Sequence, residues 1–269
     1  MRELSLQTQP PAGTLHDVPR RAAELFHELH RRDSVLSVVG WLHVGALLVS
    51  GTLFLLDDRT VNGESVWIKP MKFAVSIALY LWTLGWILHY LKPADSRHVA
   101  VLGRLVAVIM SLEFLLIFSQ SARGVASHFN SASTYDVLVF RAMGVLILMN
   151  TVAVLYATAL YFRRRPELPL PYLWGIRLGL ALFLLTTVSG GIMIGIVSHS
   201  VGTGGDLRFA HFVSMHSLQA LPLAGLLAYR LHERGRLRNP VRWTALAAVF
   251  MFSLHAAVLM LALSGRPLL

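Results

Sequence analysis

Seven runs of mostly apolar residues, each some 20 residues or longer, dominate this chain: roughly 34–56, 68–91, 99–121, 137–162, 172–197, 208–230 and 242–263. A helix needs about 20 consecutive apolar residues to cross the hydrocarbon of a bilayer. In lipid, backbone groups must bond within their own segment, so runs of this length become helices. The sequence therefore predicts an all-α, polytopic transmembrane bundle of seven helices. It divides into a segment 1–32, a membrane domain 33–264 and a short tail 265–269.

Composition agrees. Of 269 residues, 55% are hydrophobic and only 14% charged, against about a quarter charged in soluble domains. The runs leave no room for a separate soluble domain. The chain has no cysteine, which excludes disulfides, thiolate metal sites and Cys-ligated iron–sulfur clusters. The net charge of +10 lies in short loops, where it reads as topogenic charge and not as a nucleic-acid surface. The first run begins after some 33 residues and is too long for a signal-peptide core, so it is expected to remain as the first span.

Orientation follows from the bias of Lys and Arg toward the cytoplasm. With the N-terminus inside, only Arg59, Lys69, Lys72, Arg123, Arg141, Arg208 and Arg266 lie outside, and the other 17 of the 24 basic residues lie inside. The C-terminus is then extracytoplasmic. Pro10, Pro11 and Gly13 predict a flexible start. Ala22, Leu25, Phe26 and Leu29 recur at helical spacing among arginines, the pattern of a short interfacial helix on an anionic leaflet.

Polar residues are rare in the spans, and those present collect toward one end. Arg208, His211, His216 and Gln219 share an arc of about 140° on one helix at about 100° per residue. Lys69, Lys72, Ser76, Tyr80 and Thr83 make a stripe on the second span, read either as lysines snorkelling outward or as the mouth of an internal site. Glu113 lies inside the third span with Gln120 on the same face, and an acid in hydrocarbon is a functional candidate with a partner expected nearby. His43 sits near mid-depth in the first span and His255 past the middle of the last. His128 and His199 fall in outer loops. The two G-x-x-x-G patterns, Gly175/Gly179 and Gly191/Gly195, suit close helix approach or clearance for a flat ligand. A site opening on the extracytoplasmic side is expected.

The segments W-I-K-P-M-K-F-A-V-S, S-A-R-G-V-A-S-H-F-N and D-L-R-F-A-H-F resemble those of a set of uncharacterised bacterial seven-span membrane proteins. The resemblance covers most of the seven-span region and implies a multi-pass protein of the bacterial cytoplasmic membrane; it implies no activity. A retinal Schiff base is not supported, because span 7 has no lysine. The H-x-x-x-H of adiponectin-receptor-like zinc hydrolases is absent.

Three chemistries suit these residues. A b-type haem would take His216 and His255 as axial ligands, with His43 as substitute for either, and Arg123, Arg141, Arg208 and Lys69 on its propionates. A metal-dependent hydrolase would use His128, His211 and His216 on zinc, with Asp206 and His255 as further donors and Glu113 as general base. An outward-facing binder or transporter would receive a small anion, a lipid headgroup or a quinone past Lys69, Lys72, Gln120 and Gln219, with Glu113 and the histidines relaying protons. A purely structural polar core is the remaining reading.

Overall fold

A computed structural model describes residues 18–202 and 204–267. The expected flexible start lies outside them. Most of the described chain is helical: α1 (Val18–Arg32), α2 (Ser34–Leu56), α3 (Ile68–Leu88), α4 (Lys92–Ala122), α5 (Thr134–Arg163), α6 (Leu170–Phe183), α7 (Thr186–Gly195), α8 (Leu207–Glu233) and α9 (Pro240–Leu263). Six segments are long and apolar enough to cross a membrane. The protein is a multi-pass helical bundle.

The longest of the six, Ile68–Ala122, has 55 residues. At about 1.5 Å per residue it would be more than twice as long as the hydrocarbon is thick. It is divided by a 3-10 turn at His89–Leu91 and by non-helical backbone at Asp95 (φ −144°, ψ 46°). Its two parts, α3 and α4, pack side by side. The run expected near 172–197 is also interrupted, at Leu184–Leu185, which separates α6 from α7.

Local chemistry explains the boundaries. Asp33 caps α2 by accepting from the Leu36 amide at 3.1 Å, and Ser133 caps α5 by accepting from the Asp136 amide at 3.2 Å; each satisfies a helix-start donor. Asn62 and Gly63 both hold positive φ, as a two-residue hairpin turn requires. That turn joins the short strands β1 (Thr60–Val61) and β2 (Glu64–Ser65). A second hairpin, β3 (Ser200–Val201) with β4 (Gly205–Asp206), precedes α8.

The most extensive helix packing is between α6 and α8, and the backbones approach closely there. A Cβ on Gly175 would lie 2.4 Å from the Leu221 carbonyl oxygen, and one on Gly225 2.3 Å from that of Pro171. The face of Gly175 and Gly179 is thus filled by the backbone of α8 and offers no clearance for a flat ligand. Gly191 and Gly195 have open space beside them.

The two ends of the bundle differ. At the α1 end, Arg32 lies 3.7 Å over the Trp86 ring and Lys92 meets Asp33 at 3.3 Å. Arg177 donates to the Tyr161 carbonyl (3.0 Å), the Tyr161 hydroxyl to the Ile87 carbonyl (2.6 Å), and Arg164 to Asp95 (2.8 Å). Sequence alone treats these arginines as boundary charges; the structure knits three of them into the closure of this end. The functional candidates lie toward the other end.

Candidate functional site

The rim of that end is tied together first. Asp57, past the end of α2, takes both Arg59 (2.7 Å) and the Trp67 indole N–H (2.8 Å). These donors hold its carboxyl well below the usual range. Arg59 also donates to the Ala122 carbonyl at 3.1 Å, joining the first hairpin to the end of α4.

A second tie joins α4 to α5. Gln120 Nε2 donates to Asp136 Oδ1 at 2.8 Å, Arg123 donates to the same oxygen at 2.6 Å and to Gln120, and Ser133 Oγ donates to Asp136 Oδ2 at 2.6 Å. Gln120 and Arg123 are therefore committed to a buried carboxylate. Asp136→Asn removes the charge that three donors converge on. Because Arg123 is half-exposed, the expected loss is modest, about 1–2 kcal/mol. Chemical unfolding in detergent measures it.

Inside this rim is a cluster built from four elements. Lys69, at the start of α3, points inward, and its ammonium lies 3.2 Å from His128 Nδ1 in the loop after α4. An ammonium only donates, so Nδ1 accepts and His128 carries its proton on Nε2. Phe73, Phe129 and Phe140 ring the His128 imidazole, and the His199 ring is 6.5 Å from it. On α8, His211 Nδ1 lies 3.1 Å from both the Thr186 carbonyl and the Ser189 hydroxyl. The carbonyl can only accept, so His211 keeps Nε2 unprotonated.

Burial first, then the positive charge of Lys69, with smaller contributions from His199 and His211, holds His128 well below its ordinary 6.5. His199 is pushed down to about 4 by burial, then by Lys69 and Arg208. Both rings are neutral near pH 7. Lys69 is thus the cation of the cluster, and it is half-buried. Among the described residues no carboxylate comes within the 4.0 Å of an ion pair with it. The charge that bears on Glu113 is Lys69. Glu113 is 1% exposed, and its Oε2 is buried without a hydrogen-bond partner.

The sign of the pH dependence follows for His199. Its folded pKa is depressed below the unfolded value, so its stabilising contribution is full above about pH 6.5 and is lost as pH falls toward 4. Wild type should lose thermal stability between pH 6.5 and pH 4. His199→Gln should flatten that slope by roughly 1–2 kcal/mol after discounting for solvent screening. An equal slope in both proteins would contradict this.

The remaining candidates are placed as follows. Lys72 is exposed and only approaches Glu64, at 3.8 Å, so the two lysines of the stripe part company. Arg208 is held by Asp206 at 2.7 Å, and Arg141 is exposed on α5. Gln219 Nε2 donates to Thr83 Oγ1 at 3.3 Å, and its Oε1 is buried without a partner. Tyr80 donates to Asn150 at 2.8 Å, joining α3 to α5 in the interior.

His216 and His255 do not converge. His255 Nδ1 donates to the Ala210 carbonyl of α8 at 3.0 Å. His216 lies six residues along, about 9 Å of rise and 240° of rotation away. Its ring lies against Phe212 at 4.0 Å, with Nδ1 bonded to its own helix. This pair does not flank one flat cavity, as two axial ligands of a haem must. His43 is a third, separate location: its Nδ1 donates to Val39, its ring edges onto Phe114, and its Nε2 is buried without a partner. Among the described residues no three His, Asp or Glu side chains are placed to hold a metal ion.

Two contributors were not singled out for the site from sequence. His199, counted there only as an outer polar residue, becomes a wall of the cluster because the β3–β4 hairpin folds it over His128. Ser189 orients His211 from the broken helix pair α6–α7, whose break no hydropathy pattern signals. The chain matches no family model, no curated protein and no solved structure.

Proposed function

We propose that the Lys69–His128–His199–His211 cluster is an outward-facing receptor for a small oxyanion, a phosphate or carboxylate group free in solution or carried on a headgroup. In this reading the chain crosses the bacterial cytoplasmic membrane seven times, α3 and α4 counting separately and α6–α7 as one crossing. The N-terminus is cytoplasmic and the C-terminus outside, as the distribution of Lys and Arg directs. One observation carries the reading: a half-buried ammonium has a neutral imidazole and aromatic rings around it and, among the described residues, no carboxylate within ion-pair distance, Glu113 acting on it only from farther off. Partly burying a cation that has no ion-pair partner is costly, and an incoming anion relieves that cost.

The neutral imidazoles have a second use here. Lys69 already donates to His128, and His211 holds a lone pair on Nε2. Such a site accepts hydrogen bonds from an oxyanion that keeps a proton while Lys69 meets its charge. Glu113, deeper along α4, is the group that would take up or release a proton as the anion comes and goes. Binding or passage of a proton-bearing anion follows. Calorimetric titration of the detergent-purified protein with inorganic phosphate and with glycerol 3-phosphate, a headgroup fragment that has no acyl chain, tests it. Saturable one-site binding of either is expected, and the pair separates free anion from headgroup; no saturable binding of either contradicts it.

A further inference from the structure

A groove of about 430 Å³ runs between α2 and α4, far along α4 from the Lys69 cluster. That volume falls within the roughly 300–1,000 Å³ of small-molecule sites. Its walls are Val35 and Val39 of α2 and Arg104, Val108, Ser111 and Leu112 of α4. Arg104, Val108 and Ser111 repeat at i, i+4 and i+7, so they stand on one stripe of the helix. At Leu112 the groove meets a second, wholly apolar one between α4 and α5, lined by Leu112, Leu115, Ala142 and Val145 among others. The joined track follows α4 from Arg104 to Leu116, about 18 Å at 1.5 Å per residue.

One end of the track is charged, and its depth is defined. Gly103, next to Arg104, faces Leu36 and Asp33 at the first turn of α2. Arg104 is therefore level with the α2 N-cap, where α1 joins the bundle and Lys92 meets Asp33. That is the membrane boundary at the α1 end. Arg104 is exposed, and no carboxylate of the described residues lies within ion-pair distance of it. The carboxylate at this level, Asp33, is taken by Lys92. A guanidinium binds phosphate oxygens in bidentate fashion.

We infer that this track holds one anionic phospholipid, its phosphate on Arg104 and an acyl chain along Val108, Leu112 and Leu115. Charge and shape both select that occupant. The track opens on its apolar side to lipid, so its contents come from the bilayer. The guanidinium at one end demands a phosphate that is not cancelled by a headgroup cation. A juxtamembrane Arg favours an anionic lipid by about 1 kcal/mol, so a preference of about fivefold is expected.

Native mass spectrometry of the full chain, released from nanodiscs of equal phosphatidylglycerol and phosphatidylcholine, tests this. Wild type should retain one phosphatidylglycerol about fivefold over phosphatidylcholine. Arg104→Gln should retain the two alike, whereas Arg97→Gln, a control for general positive charge, should keep the preference. Leu112→Trp, which fills the track, should lower retention of either lipid. Equal retention of the two lipids by wild type, or an unchanged preference in Arg104→Gln, would overturn the assignment. Arg104 is exposed, so its replacement does not threaten folding. Lys69→Met should leave the lipid preference intact, which keeps this result separate from the fate of the oxyanion site.

Discussion

Lys69→Met is expected to weaken phosphate binding at least tenfold, while Lys72→Met leaves it within about twofold. A hydrogen bond to a charged group contributes about 1.5–3 kcal/mol, which is roughly a 10- to 150-fold change in affinity. Lys69 has the cluster to itself; Lys72, three residues on, is exposed and faces Glu64 across 3.8 Å. The two substitutions remove the same charge from the same turn of α3. They separate a site from a surface: long-range attraction by net charge would make both variants lose alike. Methionine keeps the apolar stem of the side chain, so the fold around Phe73 persists. Titration of the three proteins under one set of conditions measures the difference.

Gly225→Ala should lower stability by about 3 kcal/mol, the upper end of ordinary overpacking, with a clear fall in the midpoint of thermal unfolding. The new Cβ would sit 2.3 Å from the Pro171 carbonyl oxygen. The obstacle is backbone, so no rotamer change relieves it, and α6 and α8 must separate along their whole contact. That contact carries the α8 face bearing Ser217, whose hydroxyl donates to the Gly179 carbonyl at 3.1 Å. Gly191→Ala is the control. Nothing lies within 4 Å of its Cβ position, and alanine is the better helix former by about 1 kcal/mol, so that variant should be as stable as wild type or more so.

Hydropathy made the helices legible because lipid leaves the backbone few alternatives. The first expected span, 34–56, coincides with α2. The breaks were less legible. Asp95 turns the chain in the polar start of α4, which the apolar pattern simply omitted. The interruption at Leu184–Leu185 falls among leucines and threonines that could continue any helix.

The candidate site was legible in residue types and not in pairings. Lys69, Glu113 and His211 stand out because charged or titratable groups are rare in these spans, and the structure sets Lys69 against the loop residue His128. Which way each points is decided by neighbouring helices. Lys69 and Lys72 look equivalent on a helical wheel, yet only Lys69 meets a loop imidazole. Gln120 and Arg123 read as ligand groups until Asp136, sixteen and thirteen residues on, claims both. His216 and His255 read as a pair because both lie near mid-depth. Rotation about α8 separates them, and a wheel drawn for one helix carries no information about the face its partner meets.

Labelling of a single cysteine is the most direct measurement of an outward-facing anion site. The chain has no cysteine of its own, so Asn130→Cys, two residues from His128, reports alone. A membrane-impermeant maleimide added to intact cells should label it, and phosphate should slow that labelling. Arg165→Cys, at the other end, should label only after the membrane is opened. Labelling of Asn130→Cys that requires permeabilised cells, or that phosphate leaves unchanged, would contradict the account.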